Sequence, residues 1–168
     1  MAKKIISILG LTLILSLSVC ACGEEAKPLL SATDYDLNAE TAETIRGVKI
    51  GDDSETFLAA YRDYDILSSI NGGDYRFLAA EEIPFTSQLT TILPSFFVDG
   101  SAIDLDSFCE ENGIEKESLL SFLTDETYLE AHTVLYQYLV FTWENGKITE
   151  IRSESMDYNR DGSYYEAN

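Results

Sequence analysis

The chain has 168 residues, with 11 Lys and Arg against 30 Asp and Glu, a formal charge of −19, three cysteines, one histidine and one tryptophan. So few cations cannot build the basic face that displaces counterions from phosphate, which excludes nucleic-acid binding. A single histidine excludes metal centres that need two or three imidazoles, and the length predicts one domain with a core of its own.

The chain opens with Lys3 and Lys4 before an apolar run, Ile5 to Val19, broken only by Ser, Thr and Gly. A membrane-spanning helix needs about 20 apolar residues, and Glu24 and Glu25 follow too soon for one. The run ends in Leu17-Ser-Val-Cys20-Ala-Cys22-Gly23. This resembles a bacterial lipoprotein signal, with Val19 three before Cys22 and Ala21 just before it. The resemblance implies a signal helix in residues 1–21, cleavage before Cys22 and a diacylglycerol on the Cys22 thiol. Two acyl chains anchor stably where one is marginal, at roughly 0.8 kcal/mol per buried CH₂. The competing expectation is a plain secretory leader with incidental cysteines. Cleavage removes Lys3 and Lys4, leaving 147 of the 168 residues and nine cations against 30 acids, a formal charge of −21. Cys109 is then the one free thiol, so no internal disulfide staples the fold.

Residues 22–43 are polar and aperiodic and carry Pro28. They read as a tether, with the alternative that Tyr35 and Leu37 add an edge strand. Residues 44–156 read as the domain. Val48 and Ile50 alternate with Lys49, predicting a short strand ended by Gly51. Asp52 is placed to cap a helix, with Glu55 completing the box and Phe57, Ala60, Tyr61 and Tyr64 on one face. Asn71-Gly72-Gly73 breaks the chain, and a strand is predicted over residues 75–79. Pro84 and Pro94 make residues 83–98 read as loop with short extended pieces. Short helices are predicted over 104–111 and 115–123, the second burying Leu119, Leu120 and Leu123. A strand over 133–143, dense in β-branched and aromatic residues, turns at Asn145-Gly146 into its partner, because Asn-Gly accepts positive φ.

The segment Thr44-Ile-Arg-Gly-Val-Lys-Ile-Gly-Asp52 with its helix, and Trp143-Glu-Asn-Gly-Lys-Ile-Thr-Glu-Ile151, resemble small Gram-positive lipoproteins of unassigned function. More distantly the order is similar to BamE/SmpA-type envelope lipoproteins and to β-lactamase-inhibitor proteins. The resemblance implies an α+β fold, an antiparallel sheet with helices packed on one face, and work by binding other proteins. Residues 80–130 form a long insertion relative to that pattern.

Residues 157–168 read as an acidic tail. Asp157-x-Asn159-x-Asp161-Gly-Ser163 matches the first half of a calcium loop, in which alternate oxygens converge on one cation. Asp157, Asn159 and Asp161 would give side-chain oxygens and Ser163 a backbone carbonyl. The twelfth position is Asn168 rather than a bidentate Glu, and Glu166 sits at the tenth; the alternative is a solvated tail. Cys109 and His132 are a formal thiolate–imidazole pair, but Asp106, Glu110 and Glu111 beside Cys109 disfavour the thiolate. The adjacent acids Glu81-Glu82, Glu110-Glu111 and Asp125-Glu126 would serve a glycosidase only if two met in a cleft. The expectation is a lipid-anchored, extracytoplasmic envelope protein, non-catalytic, with no cofactor. It binds an unidentified protein through the sheet face or the insertion. A calcium-dependent adhesion or wall-binding module is the alternative, and a small wall-directed hydrolase the minority reading.

Overall fold

The computed structural model describes residues 27–85 and 88–159 and the backbone of 164–166. The expected signal helix, Cys22, Asp161 and Ser163 lie outside the described residues. Helix α1 (Ser54–Tyr61) is followed by β1 (Ile66–Ile70), β2 (Arg76–Leu78), β3 (Leu89–Val98) and β4 (Ser101–Ala102). Next come α2 (Leu105–Asn112), a 3-10 helix Lys116–Ser118, α3 (Leu119–Leu123) and α4 (Glu126–Ala131). The long strands β5 (Val134–Glu144) and β6 (Lys147–Asp157) and the short β7 (Tyr164–Glu166) complete the chain. The fold is α+β. All pairings are antiparallel, in the order β2-β1-β3-β5-β6-β7, with β4 on the end of β3.

Both faces of β5 are apolar, and both are covered. On one face Trp143, Phe141 and Leu139 meet α1 through Phe57 and Tyr61, with Val48, Leu30 and Tyr35 closing the layer. On the other face α2, α3 and α4 pack over Phe96, Val134 and Tyr136 through Leu105, Cys109, Leu119 and Leu123. The residue 80–130 insertion thus supplies most of one layer. Its α2 starts on the Asp104 carboxylate, which accepts from the Ser107 N–H, and ends at Gly113, whose φ of +65° releases the chain from the helix.

Four sequence expectations change. The tether reading does not hold from Lys27 onward. Leu30 and Tyr35 are 2% and 4% exposed, and Asp34 binds the Arg46 guanidinium at 2.9 Å. Burial pushes the Asp34 carboxyl up, but hydrogen bonds from the Ser31 hydroxyl and N–H, with Arg46, hold it below the ordinary 3.8. A segment that is polar on average is fastened by its few apolar members and by ion pairs of Lys27 and Asp34. Leu37 forms a single bridge with Thr44, not an edge strand.

Residues 48–50 do not form the predicted strand. The chain turns at Gly47 and Gly51, whose φ angles are +82° and +93°. The Gly51 N–H then donates to the Ile148 carbonyl, and the Ile148 N–H to the Asp52 carbonyl. The α1 cap is Asp53, which accepts from Thr56, while the Asp52 side chain accepts from the Lys49 N–H. Residues 89–98, read as loop because of Pro94, are the ten-residue strand at the centre of the sheet. Pro94 lies past the last β1 pair, Leu67–Ile92, and before the first β4 pair at Phe97, so β5 is its one strand neighbour. At that edge-like position its missing N–H removes no bond from a second ladder.

Candidate functional site

The insertion does not seal the face it covers. Between the 3-10 helix, α3 and the sheet lies an apolar groove of about 180 Å³. A dry cavity of about 150 Å³ takes one benzene ring, so this groove has room for one aromatic or branched side chain. Its walls come from β1 (Leu67), β2 and the residue before it (Phe77, Tyr75), β3 (Pro94, Phe96), β5 (Tyr136) and the insertion (Lys116, Glu117, Leu119, Leu120). Tyr75 and Leu120 stand on the rim at 49% and 42% exposure. Leu120 was expected on the buried side of its helix. Its turn begins as a 3-10 helix, and the buried positions are Leu119 and Leu123.

Stacked rings form the floor. Phe96 and Tyr136 face each other across β3 and β5, their centroids 4.5 Å apart and their planes 9° from parallel. Tyr138 stacks on Tyr136 at 4.5 Å, and its hydroxyl donates a hydrogen bond to Glu154. Burial pushes the Tyr136 hydroxyl far above the ordinary phenol range, so it stays neutral. This floor is rigid, uncharged and aromatic, the kind of surface that anchors a partner's side chain at low entropic cost.

One end of the groove is closed by an ion cluster. The Lys116 ammonium lies 5.3 Å over the Phe77 ring, 2.9 Å from the Asp65 carboxylate and 2.5 Å from that of Asp106. Lys27 reaches the same two carboxylates, at 2.6 and 3.2 Å. Burial would push Asp106 up, but hydrogen bonds from Lys116 and Lys27 reverse this and hold it below the ordinary carboxylate value. The Lys27 side chain responds oppositely. Burial alone would lower its pKa, and the contacts with Asp65 and Asp106 raise it. Two cations and two anions here join Lys27 to the residue before β1, to α2 and to the groove wall.

The residues of the calcium motif are placed differently. Asn159 Oδ1 accepts from the Val134 N–H at 2.6 Å, and its Nδ2 donates to the carbonyls of Leu129 and His132 at 3.2 and 2.8 Å. Both ends of the carboxamide therefore fasten the junction of α4 and β5. Asp157 Oδ1 accepts from the Asn159 N–H. No cluster of three or more His, Cys, Asp or Glu suited to a metal occurs among the described residues. Cys109 is 6% exposed inside the insertion core, and burial pushes its thiol up. His132 Nδ1 is instead 2.7 Å from Asp99. Among the described residues no helix is long and apolar enough to cross a membrane.

No family model, curated protein or solved structure matches this chain. Function is therefore argued from the groove itself. The sequence pointed to the sheet face and the insertion as regions, but carried no sign that Leu120 would be left outward or that Tyr75 would face it.

Proposed function

We propose that this chain is a lipid-anchored protein of the bacterial cell envelope that binds another protein, without catalysis, through the groove between the sheet and the insertion. The observation that carries the reading is an apolar, ring-floored groove with Leu120 and Tyr75 on its rim. Large apolar side chains exposed side by side over an apolar hollow mark an interaction site rather than a core. The excess of acids in the chain as a whole favours a partner with cationic character. The anchor is supported by the residues around Cys22 alone.

Two measurements test the two parts. Metabolic labelling with a fatty acid should mark the wild-type chain and not Cys22→Ala. For the groove, the full chain is immobilised in detergent and exposed to envelope extract. It should retain a defined protein partner in the presence of chelator, and Leu120→Ser should lose it. Retention that survives Leu120→Ser removes the groove from the account, and retention abolished by chelator favours a calcium-dependent contact.

A further inference from the structure

The ion cluster at the end of the groove determines how far the domain can stand from a membrane. Four residues, Gly23 to Ala26, separate Cys22 from Lys27. An extended chain covers at most about 3.6 Å per residue, so Lys27 can lie no more than roughly 18 Å from Cys22, whatever path the chain takes. Lys27 is itself fastened to Asp65 and Asp106, and Leu30, three residues on, is 2% exposed in the core. The leash of a lipidated Cys22 is therefore short, because residues 27–43 belong to the packed domain. Lys116, which lines the groove, shares one Asp65 oxygen with Lys27, at 2.9 and 2.6 Å. The groove and Lys27, five positions from Cys22, meet in a single ion cluster.

We infer that the groove receives the extracytoplasmic, membrane-proximal segment of an integral membrane protein, and that this segment presents an aromatic or branched side chain beside lysine or arginine. The inference rests on the anchor and the groove proposed above, and adds where the groove is held and what reaches it there. The short leash keeps Lys27, and with it the ion cluster at the end of the groove, near the membrane surface. The volume of about 180 Å³ suits one side chain. The charge selects between the two apolar materials found at that surface. Nine cations against 30 acids in the chain from Cys22 onward repel anionic headgroups and attract Lys and Arg. Glu117 stands in the groove wall itself, whereas Asp65 and Asp106 are already paired with lysines.

The test is photocrosslinking in cells with the full-length chain carrying p-benzoylphenylalanine in place of Leu120, and, as a control, in place of the exposed Ile50, which does not line the groove. The expected adduct joins position 120, and not position 50, to a loop next to a membrane span, mapped by mass spectrometry. A second version inserts 20 Gly/Ser residues between Ala26 and Lys27. Effective concentration falls as about the −3/2 power of linker length, so the adduct should drop roughly tenfold while fatty-acid labelling persists. Four outcomes overturn the inference: an adduct with lipid, an adduct with a soluble or peripheral protein, no adduct, or a yield unchanged by the spacer. A wild-type chain that takes up no fatty acid overturns the anchor as well. A labelled chain whose adduct ignores the spacer leaves the anchor and groove standing and removes the membrane-proximal partner alone.

Discussion

On one face of the sheet Trp143, Phe57, Phe141 and Tyr61 are all 0% exposed and meet ring to ring, Phe57 standing 88° to Trp143 at 5.2 Å. On the other face the rings of Phe96 and Tyr136 lie nearly parallel in the floor of a groove, with Tyr75 and Leu120 part-exposed at its rim. Both layers draw on the same strand, β5, through alternate residues. The difference lies in what covers them. The first is closed by α1 and a segment whose Leu30 and Tyr35 reach inward; the second is closed by four short helices that leave Tyr75 and Leu120 part-exposed beside the sheet. Edge-to-face rings fill volume, whereas a parallel stack open at its end keeps a flat surface available. One layer therefore holds the fold together, and the other can be altered at its rim with little effect on stability.

The strongest way to break this contrast is at Trp143. Its indole N–H donates to the Thr91 hydroxyl at 3.0 Å, in a wholly buried pair. Trp143→Ala leaves a cavity and an orphaned hydroxyl, and should cost about 3–5 kcal/mol. A loss below 1 kcal/mol in urea denaturation would mean that this layer is not the main source of stability.

Leu30→Ala asks whether the N-terminal segment belongs to that layer. A 2%-exposed leucine in a packed site should cost about 2–5 kcal/mol on truncation. A chain beginning at Thr44 lacks Leu30, Tyr35 and the Asp34 partner of Arg46, and should show a still lower urea midpoint. A midpoint equal to wild type would restore the reading of residues 27–43 as a tether.

Asn159→Asp tests the open layer at the end where it is fastened. The carboxylate would keep an acceptor for the Val134 N–H but face the Leu129 and His132 carbonyls without protons to give. A loss of about 0.5–1.5 kcal/mol is expected, the usual net worth of a hydrogen bond that is not fully buried. The same titration repeated with millimolar calcium examines the tail motif. The midpoint should stay low, and a recovery would mean that residues 157–163 gather around a cation in spite of the inward turn of residue 159.

What the sequence carried and what it did not divide along the same physical line. The β5–β6 hairpin was legible because its signals are local: β-branched and aromatic residues flank Asn145-Gly146, and the turn takes φ angles of 51° and 75° there. Helix α2 was legible through Asp104 and Gly113 for the same reason. The errors came where tertiary neighbours decide. Pro94 forbids a strand only if two ladders need its N–H, and the sequence cannot show that β1 has ended by then. Lys27 looked like a linker cation until Asp65 and Asp106, 38 and 79 positions away, supplied its partners. Leu119 and Leu120 are identical as sequence signals, and only the 3-10 start of their turn sends one inward and the other to the rim. The groove was predictable as a region, therefore, and not as a set of side chains.

Leu120→Ser is the smallest perturbation of stability and the most informative about the contrast. The side chain is already 42% exposed, so its replacement by a polar residue should shift stability by no more than about 0.5 kcal/mol. An apolar anchor at the edge of a ring-floored groove nevertheless belongs to the class whose truncation costs binding about 1–2 kcal/mol, or roughly tenfold in affinity. Thermal melting and partner retention measured on the same preparation separate the two. A wild-type melting temperature with retention lost places Leu120 at the docking surface. A melting temperature that falls by several degrees along with retention means that the groove is an unfilled part of the core, and that the two faces differ less than their exposure suggests.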